Sequence, residues 1–179
     1  MPTSTSLVLS PAPSQCSLEM LTHHYGDVYE HSPWVAEAAW RHGLAETHDA
    51  PEALAALMGL MLQQASSEQQ IKVIQAHPDL AGKAAMAGEL TQDSTSEQAG
   101  AGLDQCSPEQ FSRFETLNAA YKEKFGFPFV IAVKGLDRHG ILAAFEERLN
   151  NDLATERQTA IEQIIRIARF RLIDRASKA

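Results

Sequence analysis

His77-Pro78-Asp79-Leu80 and the later run Ser94-Thr95-Ser96-Glu97-Gln98 bring an imidazole, carboxylates and small hydroxyls into two short polar stretches. Such a set suits proton transfer. An imidazole titrates near neutral pH, and an ionised carboxylate accepts hydrogen bonds at two oxygens. Proline is preorganised for the first position of a helix, so His77 is expected at or just before a helix start. Ser94-x-x-Glu97 reads two ways: as a capping box, with serine and glutamate satisfying each other's backbone N–H groups, or as a polar wall facing a ligand. Near the C-terminus Arg166, Arg169 and Arg171 lie on one predicted helix. At roughly 100° per residue, Arg169 and Arg171 both border its apolar stripe. The plain reading of these two is stems on the core and guanidinium groups in water, and helical geometry does not choose between them.

Other chemistries lack their motifs. Seven histidines are present, His23, His24, His31, His42, His48, His77 and His139, but neither His-Glu-x-x-His nor Cys-x-x-Cys occurs, so no metal site is expected. Gly100-Ala101-Gly102 lacks the lysine of a phosphate-binding loop, and Gly-x-Ser-x-Gly is missing.

The elements that must position these residues read as helices. Ser32-Pro33 is expected to open one that stops at Gly43, and Asp49-Ala50-Pro51-Glu52 another carrying Leu54, Leu57, Met58, Met61 and Leu62. Residues 67–76 give a short helix ended by His77-Pro78. Ser107-Pro108-Glu109-Gln110 combines an N-cap, a first-turn proline and a box glutamine. The helix behind it bears Phe111, Phe114, Leu117, Tyr121 and Phe125 and stops at Gly126. Residues 140–149 form a further helix, and Asn151 is expected to cap the last one, striped by Ile161, Ile164, Ile165, Ala168 and Leu172. Phe127–Val133 alone has strand propensity. One strand without a partner makes no sheet, so the expectation is an all-α single-domain helical bundle with an extended segment near 127–133, its N–H groups open to a ligand. The longest internal interruption is the polar loop 86–94.

With 179 residues the length fits about one domain. Fifteen basic against 23 acidic residues give a net charge of −8, which disfavours nucleic acid and anionic membranes as partners. No apolar run approaches the roughly 20 residues of a membrane span. Residues 1–15, rich in Ser, Thr and Pro, read as a disordered tail before a domain at 16–179. The first basic side chain is Arg41, so neither a secretory nor a transit signal fits. The ending Ser177-Lys178-Ala179 lacks the leucine of the peroxisomal signal, and the two cysteines, Cys16 and Cys106, offer no disulfide framework. A reducing cytoplasm is the expected location.

Several motifs in order resemble one family. They are Ser32-Pro33-Trp34-Val35-Ala36, Gln75-Ala76-His77-Pro78-Asp79-Leu80-Ala81-Gly82, Ser94-Thr95-Ser96-Glu97-Gln98-Ala99-Gly100-Ala101-Gly102-Leu103, Leu117-Asn118-Ala119-Ala120-Tyr121, Phe125-Gly126-Phe127-Pro128-Phe129-Val130 and Ile167-Ala168-Arg169-Phe170-Arg171-Leu172. Together they resemble the 2-oxo-4-hydroxy-4-carboxy-5-ureidoimidazoline (OHCU) decarboxylases of urate breakdown. Arg41-His42-Gly43 departs from the Arg-Pro-Phe common in that family.

The resemblance implies conversion of OHCU to (S)-allantoin with loss of CO2 and no cofactor, since the ring C=N beside the departing carboxylate is itself an electron sink. It further implies His77 as general acid/base and Glu97 as acceptor of the ureido and ring N–H groups. Ser94 and Gln98 would complete that surface, Pro78 would form the wall beside His77, and backbone near Phe129 and Ile131 would bind the ring. Arg171 rather than Arg169 would grip substrate oxygens, and a homodimer is implied. The competing class is a non-catalytic helical interaction module, in which His77 ends a helix, Ser94 and Glu97 only cap one, and Arg171 is a surface residue. A metal-dependent helical hydrolase is a second alternative.

Overall fold

The computed structural model describes residues 6–82, 85 and 87–178. The protein is all-α, as expected. Eight α-helices lie among the described residues: α1 Leu18–Tyr25, α2 Trp34–His42, α3 Pro51–Gln63, α4 Ser67–Gln75, α5 Gln92–Gly100, α6 Pro108–Phe125, α7 Arg138–Arg148 and α8 Leu153–Arg175. The strands among those residues are two short ones, β1 Leu7–Val8 and β2 Ser177–Lys178, paired antiparallel with Leu7 opposite Lys178 and Val8 opposite Ser177. No described helix is long and apolar enough to cross a membrane.

The chain divides into two compact units, residues 1–73 with 165–179 and residues 74–164. The first unit buries Leu21, Val35, Ala36, Ala39, Leu54, Met58, Leu62, Ala168 and Leu172. In α3, a Cβ at Gly59 would lie 2.9 Å from Ile165 Cγ2, so glycine is what lets α8 approach. Ser32 does not cap α2, because its hydroxyl donates instead to the Glu30 carbonyl at 2.8 Å. Residues 6–15 correct the expectation of a disordered tail, whose first five residues lie outside the described ones. Leu9 is buried and its N–H donates to the Asp49 carbonyl at 2.8 Å. Ser14 donates to Asp49 through both N–H and hydroxyl at 2.8 Å. Tyr25 Oη donates to the Pro11 carbonyl at 2.6 Å, and burial pushes that hydroxyl's pKa up to about 12. The apolar triplet Leu7-Val8-Leu9 outweighs the Ser/Pro-rich composition around it.

The second unit is built on α6. Ser107 and Gln110 form the expected capping box, with bonds of 3.0 and 3.1 Å, and Gly126 ends the helix at φ +80°. Phe114, Tyr121 and Phe145 are wholly buried, each contributing about 1.5–3 kcal/mol. Phe129 stacks on Phe145 with centroids 3.9 Å apart. The helix expected from Gly140 begins two residues earlier, because Asp137 caps it through Gly140 N–H. That bond holds the Asp137 carboxyl below its usual pKa. Asp152, not Asn151, caps α8 by accepting from Thr155 N–H at 2.7 Å. Phe127–Val133 belongs to no helix or strand. The loop expected at 86–94 is shorter, since residues 92–94 are already in α5; Met86 lies outside the described residues.

Candidate active site

His77 follows α4 rather than opening a helix. Its N–H donates to the Ile74 carbonyl at 3.1 Å, and the chain turns at Leu80-Ala81, so Pro78 lies in the loop before that turn and is not a first helical residue. The imidazole is buried, at 7% exposure. Hydrogen bonds from two helices fix the backbone beyond it. Gln98 Oε1 accepts from Ala81 N–H at 3.0 Å while its Nε2 donates to the Asp79 carbonyl at 3.3 Å. Asn118 Nδ2 donates to the Leu80 carbonyl at 2.9 Å, and Lys122 Nζ meets Asp79 Oδ2 at 2.7 Å. Ala81 lies at φ +50°, a region that costs a non-glycine residue about 1–2 kcal/mol. That strain persists because its neighbours hold it. A Cβ at Gly82 would sit 2.7 Å from the Cβ of Asp79, so the turn also requires that glycine.

Ser94 and Glu97 do not form a capping box. The N-cap of α5 is Thr91, whose hydroxyl accepts from Ser94 N–H, which puts Ser94 and Glu97 inside the helix. Residues three and four apart share a helix face, so Ser94, Glu97 and Gln98 line one side. Ser94 and Gln98 are buried and Glu97 half-buried. Both ends of the Gln98 amide serve the loop after His77, so holding that loop is its visible task.

The segment 127–133 carries bonds at alternate positions. Val130 accepts from Arg148 Nη1 at 2.7 Å and Ala132 N–H donates to Gln163 Oε1 at 2.9 Å. Between and beside them, Phe129 and Ile131 make no backbone hydrogen bond to the described residues.

Arg171 lies in the other unit, at 5% exposure. Its Nη2 meets Glu30 Oε1 at 2.9 Å and its Nη1 the Val28 carbonyl at 3.4 Å. Arg169 instead forms a surface ion pair with Glu52 at 2.7 Å. The snorkelling description fits Arg169 and fails for Arg171.

Sequence reasoning missed a buried network in the second unit. Arg148 Nε donates to both oxygens of Glu156, at 2.7 and 3.2 Å, and its guanidinium lies 4.4 Å from the Phe129 centroid. Glu156, at 0% exposure, also accepts from Tyr121 Oη at 2.7 Å and Asn151 Nδ2 at 3.3 Å. Burial and the bond to Glu156 drive the Tyr121 hydroxyl far above its usual pKa. Among the described residues no three His, Cys, Asp or Glu side chains gather as a metal site.

Known proteins resemble this chain over most of its length. The OHCU decarboxylase family matches residues 14–173. A 2-oxo-4-hydroxy-4-carboxy-5-ureidoimidazoline decarboxylase of Halalkalicoccus jeotgali is 39% identical over 89% of this chain and 86% of its own. Its counterpart from Haloferax volcanii is 40% identical over 86% and 87%. The crystal structure of an (S)-allantoin synthase superposes with a TM-score of 0.73 at 28% identity, covering 94% of this chain and 54% of that one. The family match, the identity of these relatives and the shared helical fold agree: the chain belongs to the OHCU decarboxylase family.

Proposed function

We propose that this protein removes CO2 from OHCU and delivers (S)-allantoin, a carboxy-lyase step in urate breakdown. The observation that carries the reading is the buried His77 at the head of a turn strained at Ala81 and held by Gln98 and Asn118. A turn kept in a costly conformation around a titratable side chain is the kind of strain found at functional sites.

The chemistry needs no external electron sink. When CO2 leaves, its bonding pair becomes a C=C bond to the neighbouring ring carbon, and the C=N electrons move to nitrogen, which takes a proton. The resulting enol gives up its hydroxyl proton, becomes a carbonyl, and the neighbouring carbon is protonated on one face. One proton is consumed overall. His77 is the acid/base for these transfers, a role for which imidazole is the common side chain. Glu97, with Ser94 and Gln98 on the same face of α5, accepts the ureido and ring N–H groups. Pro78 walls the imidazole, the backbone of Phe129 and Ile131 meets the ring, and Arg171 recognises substrate oxygens through its planar fork. This reading also takes the protein as a cytoplasmic homodimer without cofactor or metal, which sedimentation and cell fractionation test directly.

The main experiment supplies freshly generated OHCU and follows (S)-allantoin by circular dichroism above the spontaneous background. His77→Ala is expected to lose about 10²–10⁴-fold in turnover while remaining folded. Near-parental turnover in that variant would remove His77 from the mechanism. Glu97→Gln keeps shape but replaces an ionised acceptor by a neutral one that is half donor. Turnover is expected to fall at least about tenfold, or roughly 1.4 kcal/mol of transition-state stabilisation, with melting within a few degrees of the parent. Full activity there would leave Glu97 without a substrate role.

A further inference from the structure

The segment around Phe129 is held along one edge. In an extended chain, backbone groups two residues apart point to the same side and those between point to the other. Val130 and Ala132 are such a pair, one taken by Arg148 at 2.7 Å and the other by Gln163 at 2.9 Å. An extended course, the expectation for this segment, turns Phe129 and Ile131 the opposite way, and their backbone groups bond to nothing among the described residues. Phe129 is 1% exposed, so bulk water does not serve it. Buried backbone groups are nearly always paired, which makes this second edge one that awaits a partner from outside the chain.

The first edge is anchored to rigid parts. Arg148 is fixed by Glu156, which Tyr121 and Asn151 hold in turn. The same guanidinium lies over the Phe129 ring, whose other face stacks on Phe145. Gln163 projects from α8 and needs only its carbonyl oxygen to hold Ala132.

We infer that Gln163 and Arg148 are positioning residues for substrate. By holding Val130 and Ala132 they set the N–H and C=O groups of Phe129 and Ile131 in alternating order toward the ligand. A ring or ureido unit of the form N–H, C=O, N–H presents the complementary order, so the segment receives it as a strand edge receives another strand. The inference rests on the proposed binding of OHCU at this edge and adds the residues that make the edge usable.

Gln163 provides the cleaner test because it is half-buried and uncharged, whereas removing Arg148 would strand a buried carboxylate. Gln163→Leu deletes the acceptor and Gln163→Glu retains it. With OHCU as substrate, Gln163→Leu is expected to raise KM by about five- to tenfold, the scale of one hydrogen bond, and to leave kcat within about twofold. Gln163→Glu is expected to restore KM to near the parental value. In parallel, amide resonances of Phe129 and Ile131 are followed while (S)-allantoin is added, and they should shift in the parent and shift less in Gln163→Leu. Should leucine disturb the fold, Gln163→Ala carries the same readouts. Two failures separate cleanly. If parental amides 129 and 131 stay still at saturating (S)-allantoin, the edge is not the binding surface and the underlying reading falls. If they shift, yet Gln163→Leu keeps the parental KM or Gln163→Glu raises it equally, the edge binds without Gln163 and the positioning inference is overturned.

Discussion

Each unit buries an arginine against a glutamate, and the two pairs differ instructively. Arg171 and Glu30 meet at 2.9 Å with side chains 5% and 1% exposed, and Arg148 and Glu156 meet at 2.7 Å with 10% and 0%. Burial and distance do not distinguish them. Sequence separation does: Glu30 and Arg171 are 141 residues apart, whereas Arg148 and Glu156 are eight apart across the turn between α7 and α8. Both arginines donate to a backbone carbonyl, Val28 and Val130, and the local pair also engages a tyrosine, an asparagine and an aromatic ring. A buried arginine is therefore no mark of a substrate contact by itself. Arg148 is framed by groups that keep it still, which suits a part of the scaffold, and the substrate role of Arg171 is a proposal that rests on its place in the motif resembling the family's.

Removing Arg148 should produce the largest effect that separates the two. Arg148→Met leaves Glu156 charged and buried, and breaking such a pair costs about 3–5 kcal/mol. Urea unfolding should therefore show a midpoint well below the parent. A loss under about 1 kcal/mol would mean the network is not what holds α7 to α8. Tyr121→Phe sharpens the point by removing one donor from the same carboxylate. A hydrogen bond to a charged group is worth about 1.5–3 kcal/mol, so the loss should be smaller and should shrink further in the Arg148→Met background, since the two share a partner. Strict additivity of the two substitutions would show that they do not act through Glu156 together.

Arg171→Lys should behave differently. It keeps the charge beside Glu30 but loses the planar fork. Activity on OHCU is expected to drop about tenfold, roughly 1.4 kcal/mol, with less loss of stability than in Arg148→Met. The comparison breaks if Arg171→Lys unfolds as readily as Arg148→Met while its folded fraction keeps full activity, for then both arginines are scaffold.

These pairs also show where sequence reading reached and where it stopped. Helix α6 was legible end to end because its cap, first-turn proline, aromatic stripe and terminal glycine agree with one another. Caps elsewhere were misplaced by competition between adjacent polar residues. Asp152 took the role expected of Asn151, and Thr91 displaced Ser94, so a serine and a glutamate with capping spacing turned out to face sideways from within a helix. His77 was legible as a chemical group, yet its setting was not. The turn at Ala81 depends on Gln98 and Asn118, which lie far along the chain and carry no local signal for a φ of +50°. Arg148 and Glu156 escaped notice for a related reason. Charged residues at helix ends read as solvated unless something reveals that an aromatic cluster closes over them.

The antiparallel pairing of Leu7-Val8 with Ser177-Lys178 ties together the two chain segments that make up the first unit. Facing residues in such a pair have Cα atoms only about 5 Å apart, so a few glycines would join residue 178 to residue 6 with little loop-closure entropy. A circular permutant with new ends cut in an exposed loop should thus keep the native contacts of both units.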